Sequence, residues 1–150
     1  MLRMLKSISI LAAGVLLVAC ASGPRYADMK SSIPPLAADK GRIYFYRSNS
    51  MLGAAIQPSI VLNGEKVGDS QPGGVFYIDR PPGKYEAMCG TEVERKASFV
   101  LSAGQERFVK TTISMGAVAG HVTPELVDSA AGMAAIQSLH FTAPKTAQNH

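Results

Sequence analysis

Across residues 41–113, apolar side chains tend to recur at every second position, with turn residues at close intervals. A period of two predicts short, half-buried β-strands. Residues 42–47 read Arg-Ile-Tyr-Phe-Tyr-Arg, which puts Ile43 and Phe45 on one face and Tyr44 and Tyr46 on the other. Ile60 and Leu62 share a face up to Asn63-Gly64, after which Glu65-Lys66-Val67 returns. Asn-Gly suits a two-residue type I′ turn because both central residues need positive φ. Residues 75–79 place Phe76 and Ile78 inward and run into Pro81-Pro82-Gly83, which predicts a type II turn with positive φ at Gly83. The following strand groups Tyr85, Ala87 and Cys89. Residues 97–101 and 107–113 predict a hairpin around Ser102-Ala103-Gly104-Gln105. About seven strands make a small antiparallel β-sandwich.

The alternation stops after Ile113. Thr123-Pro124-Glu125 predicts a helix start, with Leu126, Val127, Ala130, Met133 and Ala134 on one side. One C-terminal helix therefore covers the sandwich, bending or ending near Ile136 and Leu139, which fall toward its polar side. The domain spans 41–141, and 142–150 is a polar tail. At the other terminus, residues 1–19 combine Arg3 and Lys6 with an apolar run over 8–18 and small residues at its end. This is the layout of an export signal, and the run is short of the roughly 20 residues a spanning helix needs. Leu17-Val18-Ala19-Cys20 resembles the lipobox of bacterial lipoproteins, which implies cleavage before a lipid-modified Cys20. By the same resemblance, Ala21 favours the outer membrane, facing the periplasm. Residues 20–40, rich in Ser, Gly and Pro, read as a flexible tether with a mean reach of about 25 Å.

Composition changes this picture little. Of 15 basic and 11 acidic residues, Arg3 and Lys6 leave with the signal, so the mature chain carries 13 against 11. An excess of two without a basic stripe argues against a nucleic-acid partner. The candidate chemistry is sparse. With Cys20 lipidated, Cys89 is a lone thiol, expected to be a buried apolar residue. His121 and Glu125 are four apart, but a cap near Thr123 leaves His121 outside the helix, so no metal is expected there. Asp79 beside Arg80 suggests a strand-end ion pair. Glu92 and Glu94 with Arg95 and Lys96 read as a solvated edge. Nothing in the pattern calls for a cofactor.

Two apolar, glycine-containing segments stand out where connections are normally polar: Met51-Leu52-Gly53-Ala54-Ala55-Ile56 and Met115-Gly116-Ala117-Val118-Ala119-Gly120. Either they pack into the core, the favoured expectation, or Met51, Leu52, Ile56, Met115 and Val118 form an exposed rim. A partner protein or the membrane surface would dock on such a rim.

Residues 42–47, Val-Leu-Asn-Gly (61–64), Pro-Gly-Gly-Val-Phe-Tyr-Ile-Asp-Arg-Pro-Pro-Gly-Lys-Tyr-Glu (72–86) and Pro-Glu-Leu-Val-Asp (124–128) together resemble a family of bacterial lipoproteins classed as a domain of unknown function, number 2846. That resemblance implies a β-rich domain facing the periplasm and supplies no catalytic residues. A second likeness, over residues 60–89, is to surface repeats named for a Pro-Glu-Gly-Ala motif. It implies a sandwich of transthyretin or carboxypeptidase-regulatory type. The functional expectation is a lipid-anchored, non-catalytic binding or structural module, held to the membrane through Cys20 and facing an envelope protein partner. An envelope hydrolase and a carrier of small apolar ligands are the alternatives.

Overall fold

The alternating segments form strands, and those strands build two packed sheets. The structure, a computed structural model, describes residues 20–90, 95–116 and 120–144, so the expected export signal lies outside the described residues. Among them are β1 (Gly41–Tyr46), β2 (Ser59–Leu62), β3 (Glu65–Asp69), β4 (Gly74–Arg80), β5 (Gly83–Cys89), β6 (Lys96–Leu101), β7 (Glu106–Met115), β8 (Gly120–Val127) and β9 (His140–Phe141). One sheet has the order β8-β7-β1-β4-β9 and the other β3-β2-β5-β6. The fold is a mainly β sandwich with a C-terminal helix, α2 (Ser129–Ile136). Most ladders are antiparallel, but β1 runs parallel to β7 and β4 parallel to β9.

The face assignments follow the alternation. Ile43, Phe45, Ile60, Leu62, Phe76 and Ile78 meet Ala87 and Cys89 in the core between the sheets. Tyr44 and Tyr46 point to the opposite face and are equally buried, in a second cluster with Tyr26, Phe108, Ile136 and Leu139. The five-stranded sheet is thus a middle layer. A central strand covered on both faces is buried at every position, as β1 is.

The Asn63-Gly64 turn has φ of 47° and 85°, as type I′ requires. Asn63 is also tied to β5: its Nδ2 donates to Lys84 O at 3.1 Å, and its Oδ1 accepts from Glu86 N at 2.8 Å. Asn63→Ala loses both bonds and the tolerance of positive φ, so it should cost about 1–2 kcal/mol in urea unfolding. Asn63→Gly restores the φ alone and should recover only part of that loss.

Several expectations need correction. Gly83 is not among the glycines with positive φ, and a Cβ there would meet only Tyr85 Cε2 at 3.8 Å, so valine fits. The chain at Pro81-Pro82 passes from one sheet to the other instead of closing a hairpin. Residues 102–105 do the same: β6 pairs with β5, while β7 pairs with β1 and β8. Thr123-Pro124-Glu125 lies within β8, an edge strand, where the missing proline N–H is tolerated. The helix starts later, capped by Asp128, whose Oδ1 accepts from Ala130 N at 2.9 Å. Its packed side is Gly132 and Ile136, leading on to Leu139, whereas Ala130, Ala134 and Leu126 are exposed. Gly132 is there because a Cβ would collide with the Phe108 ring.

Residues 21–40, whose composition predicts a tether, instead dress the outer face of the five-stranded sheet. A one-turn helix, α1 (Tyr26–Met29), continues as a 3₁₀ turn, Lys30–Ser32. Tyr26 N donates to Leu139 O at 2.8 Å and Phe141 N to Pro24 O at 2.9 Å. The Tyr26 ring packs edge-on to Tyr44 and stacks on Phe141.

Candidate functional site

The register brings several loops to one end of the sandwich. In the antiparallel β1–β4 pair Tyr46 faces Val75, and in the parallel β1–β7 pair Tyr46 faces Lys110. The segment after β1, the segment before β4 and the far part of β7 therefore lie side by side. Arg47 organises them. It is 3% exposed, and its guanidinium donates to four backbone carbonyls: Ile56 O at 2.7 Å, Gly53 O at 2.9 Å, Ser70 O at 3.1 Å and Leu52 O at 3.4 Å. Burial pulls its pKa below the usual arginine range, and the nearby Cys89 pushes weakly the other way. No carboxylate is among these partners; carbonyl dipoles hold the charge and in turn hold residues 52–56 in place.

Both sequence alternatives for the apolar segments are realised, each in part. Gly53, at φ 62°, presses on Ile113, a place where any Cβ would clash. Ala54 is buried, and Ile56 is half-buried beside Gly120, whose Cβ position lies 2.5 Å from Ile56 Cδ1. The outer residues face solvent: Met51 is 79% exposed, Leu52 54% and Met115 58%. Val118 lies outside the described residues.

Cys20 is exposed at the same end. Ala21 N donates to Pro72 O at 3.3 Å, and Ala21 Cβ lies 3.3 Å from the Cβ position of Gly74. Gly73 in turn abuts Asn49, two residues before Met51.

The candidate reactive groups are dispersed. Cys89 is buried, and desolvation pushes its thiol up to about 12, against a small opposing pull from Arg47. Asp79 takes a forked pair from Arg42, Nε to Oδ1 at 2.7 Å and Nη2 to Oδ2 at 2.9 Å, so its partner is Arg42 and not Arg80. Arg80 instead reaches Glu65 at 3.3 Å. His121 and Glu125 lie four residues apart on β8, about 13 Å along a strand, too far to share an ion. Lys96 pairs with Glu86 at 2.9 Å, while Glu92 and Glu94 fall outside the described residues.

Two features were not visible in the sequence. One is the Arg47 clamp, whose signal was an arginine followed by an uncharged stretch. The other is an apolar cleft of about 430 Å³ on the outer layer, lined by Pro24, Met29, Ile33, Tyr77, Phe141 and Pro144. It forms because residues 21–40 fold back against β9.

The family sequence model described as "Protein of unknown function (DUF2846)" matches residues 37–124. An uncharacterized protein of Haemophilus influenzae is similar to this chain, with 25% identity over 138 residues, covering 89% of this chain and 82% of its own length. No solved structure matches.

Proposed function

The chain belongs to the DUF2846 family of proteins of unknown function, and from that premise we propose a lipid-anchored cell-envelope protein that acts by contact, as a non-catalytic binding or structural module. The observation that carries this is the exposed group Met51 and Leu52, on the loop held by Arg47, with Met115 at the end of β7. Exposed apolar side chains on a held loop suit recognition, because little further ordering cost attends docking. The reactive groups are committed to structure: Asp79 holds Arg42, and the Cys89 thiol stays protonated.

Cys20→Ser should release the protein from the membrane or mislocalise it with its signal uncleaved, since several acyl chains at about 0.8 kcal/mol per buried CH₂ hold firmly. A mature wild-type chain with an unmodified Cys20 in mass spectrometry sinks the anchor. A photo-crosslinker at position 52 should give adducts in intact envelopes, and one at position 103, at the opposite end, should give none. Leu52→Asp should leave the melting temperature unchanged and remove contacts made by this end, read from a crosslinker at position 115. Turnover by the purified domain that disappears in a folded Asp79→Ala or Cys89→Ala variant overturns the non-catalytic reading in favour of a hydrolase.

The cleft favours a second reading, a carrier of small apolar ligands: it is concave and apolar, with a volume suited to one small molecule. Native mass spectrometry of protein taken from envelopes should then show a bound apolar molecule, lost when Ile33→Trp fills the cleft.

A further inference from the structure

The end of the sandwich that carries Met51, Leu52 and Met115 also carries Cys20, and the segments that join them are uncharged. Residues 20–24, 48–58, 70–74 and 113–116 contain no Asp, Glu, Lys or Arg. The opposite end contrasts with it: Asp39, Lys40, Glu65, Arg80, Lys84, Glu106 and Arg107 cluster around its turns. We propose that the end carrying Cys20 rests on the phospholipid surface that holds the Cys20 lipid, with Met51, Leu52 and Met115 entering the interface beside the anchor. This rests on the lipid anchor proposed above and names the partner of that same surface.

Several observations select a lipid surface as the occupant. The chain leaves no slack between anchor and fold. Ala21 is already bonded to Pro72, and the chain from Pro24 to Tyr26 is bonded to β9 and Leu139. A lipid on Cys20 therefore holds this end against the bilayer and not about 25 Å above it, as a flexible spacer would. The apolar residues stand in line with the anchor. Following the sheet order, the end presents Met115 on β7, then the loop after β1 with Met51 and Leu52, then the Gly73 turn before β4, then Ala21 and Cys20. At about 4.8 Å per strand, that row spans roughly 15 Å along one edge of the sandwich.

Charge agrees with this placement. A charged group forced toward acyl chains is costly, and the row has none; Arg47, the charge nearest to it, is already capped by carbonyls beneath the loop. Of the charged residues near this end, Asp69, Arg95 and Lys96 belong to the four-stranded sheet side, about 10 Å across the sandwich, and the exposed Arg25, bridged to His140 beside Gly74, is a cation that suits headgroup phosphate. The domain therefore leans on the edge of its five-stranded sheet. Three exposed apolar residues partition weakly on their own, but tethering at Cys20 makes their insertion intramolecular and raises the effective concentration of lipid.

The test uses the full mature chain, purified with its lipid and reconstituted into vesicles of phosphatidylethanolamine and phosphatidylglycerol. Because Cys89 is buried, Leu52→Cys and Ala103→Cys each give a single accessible thiol for a nitroxide. The label at 52 should lose most of its collisions with an aqueous nickel chelate and gain collisions with oxygen, while the label at 103 remains aqueous. A label at Met115→Cys should behave like that at 52 and return to water when Met51→Asp and Leu52→Asp are added without change in melting temperature. Equal aqueous exposure at 52 and 103 on vesicle-bound protein overturns the docking and leaves the anchor standing. Absence of lipid on Cys20 overturns both. Crosslinks from position 52 to protein alone, with none to lipid, keep the contact surface and overturn its assignment to the bilayer.

Discussion

Arg47→Met should lower the unfolding free energy by about 3 kcal/mol and loosen the apolar end before the rest of the domain. Methionine fills similar space and donates no hydrogen bond. The carbonyls of Ile56, Gly53, Ser70 and Leu52 all lose their shared donor. Each bond is worth about 1 kcal/mol net, and a buried carbonyl left unpaired costs at least as much. Lysine is a weak substitute: its compact ammonium does not reproduce the planar fork that spans two pairs of carbonyls, so Arg47→Lys should fall between wild type and Arg47→Met. Urea unfolding gives the magnitude, and limited proteolysis gives the location, with cleavage appearing within residues 50–57. An unchanged urea midpoint together with continued resistance there would show that the loop holds itself.

Asp79→Ala should be nearly as damaging, at about 3 kcal/mol, because it strands a charge instead of removing one. Arg42 is 4% exposed and keeps no carboxylate, with Pro34 O at 3.0 Å, the Tyr77 ring at 4.3 Å and the Tyr44 side chain as its remaining neighbours. The hydrogen bond to Asp79 is the largest influence raising the Arg42 pKa, so the native state favours the charged form more strongly than water does. Replacing both partners with apolar residues, Arg42→Met with Asp79→Leu, removes the stranded charge and should recover part of the loss. Equal stability for the single and double variants would refute this. Because Arg42 also binds Pro34 O, Asp79→Ala should speed hydrogen exchange at the Ile33 and Leu36 amides that flank the two prolines, tying the outer segment to the ion pair.

Local periodicity was enough for the strands between residues 41 and 115 and for their faces. Ile43 and Phe45 against Tyr44 and Tyr46, Phe76 with Ile78, and Ala87 with Cys89 all follow from an alternation of two, because successive side chains on a strand must point oppositely. The Asn63-Gly64 turn was equally legible, since the φ values it needs are a property of those two residues. The recognition of the family was of the same kind, resting on short strings of residues such as 72–86.

Partner choice is not local. Pro81-Pro82-Gly83 and residues 102–105 have turn chemistry, but whether a turn closes a hairpin or crosses between sheets depends on which strand fills the neighbouring place in the ladder. Thr123-Pro124-Glu125 carries a helix-start signal that β8 overrides, because eight residues paired to β7 outweigh one cap, and an edge position excuses the proline. Residues 21–40 have the composition of a spacer. Only the exposed outer face of the five-stranded sheet, with Tyr44, Phe108 and Phe141 in reach, gives Tyr26 an apolar place to dock. The sequence by itself therefore determined which residues share a face along the strands between 41 and 115, and the turn at Asn63-Gly64. The tertiary structure alone decided which strands meet, and set Cys20, Met51 and Met115 at one end. Side-chain alternation is fixed within a strand, whereas juxtaposition of distant residues depends on long-range burial and pairing that no short window contains.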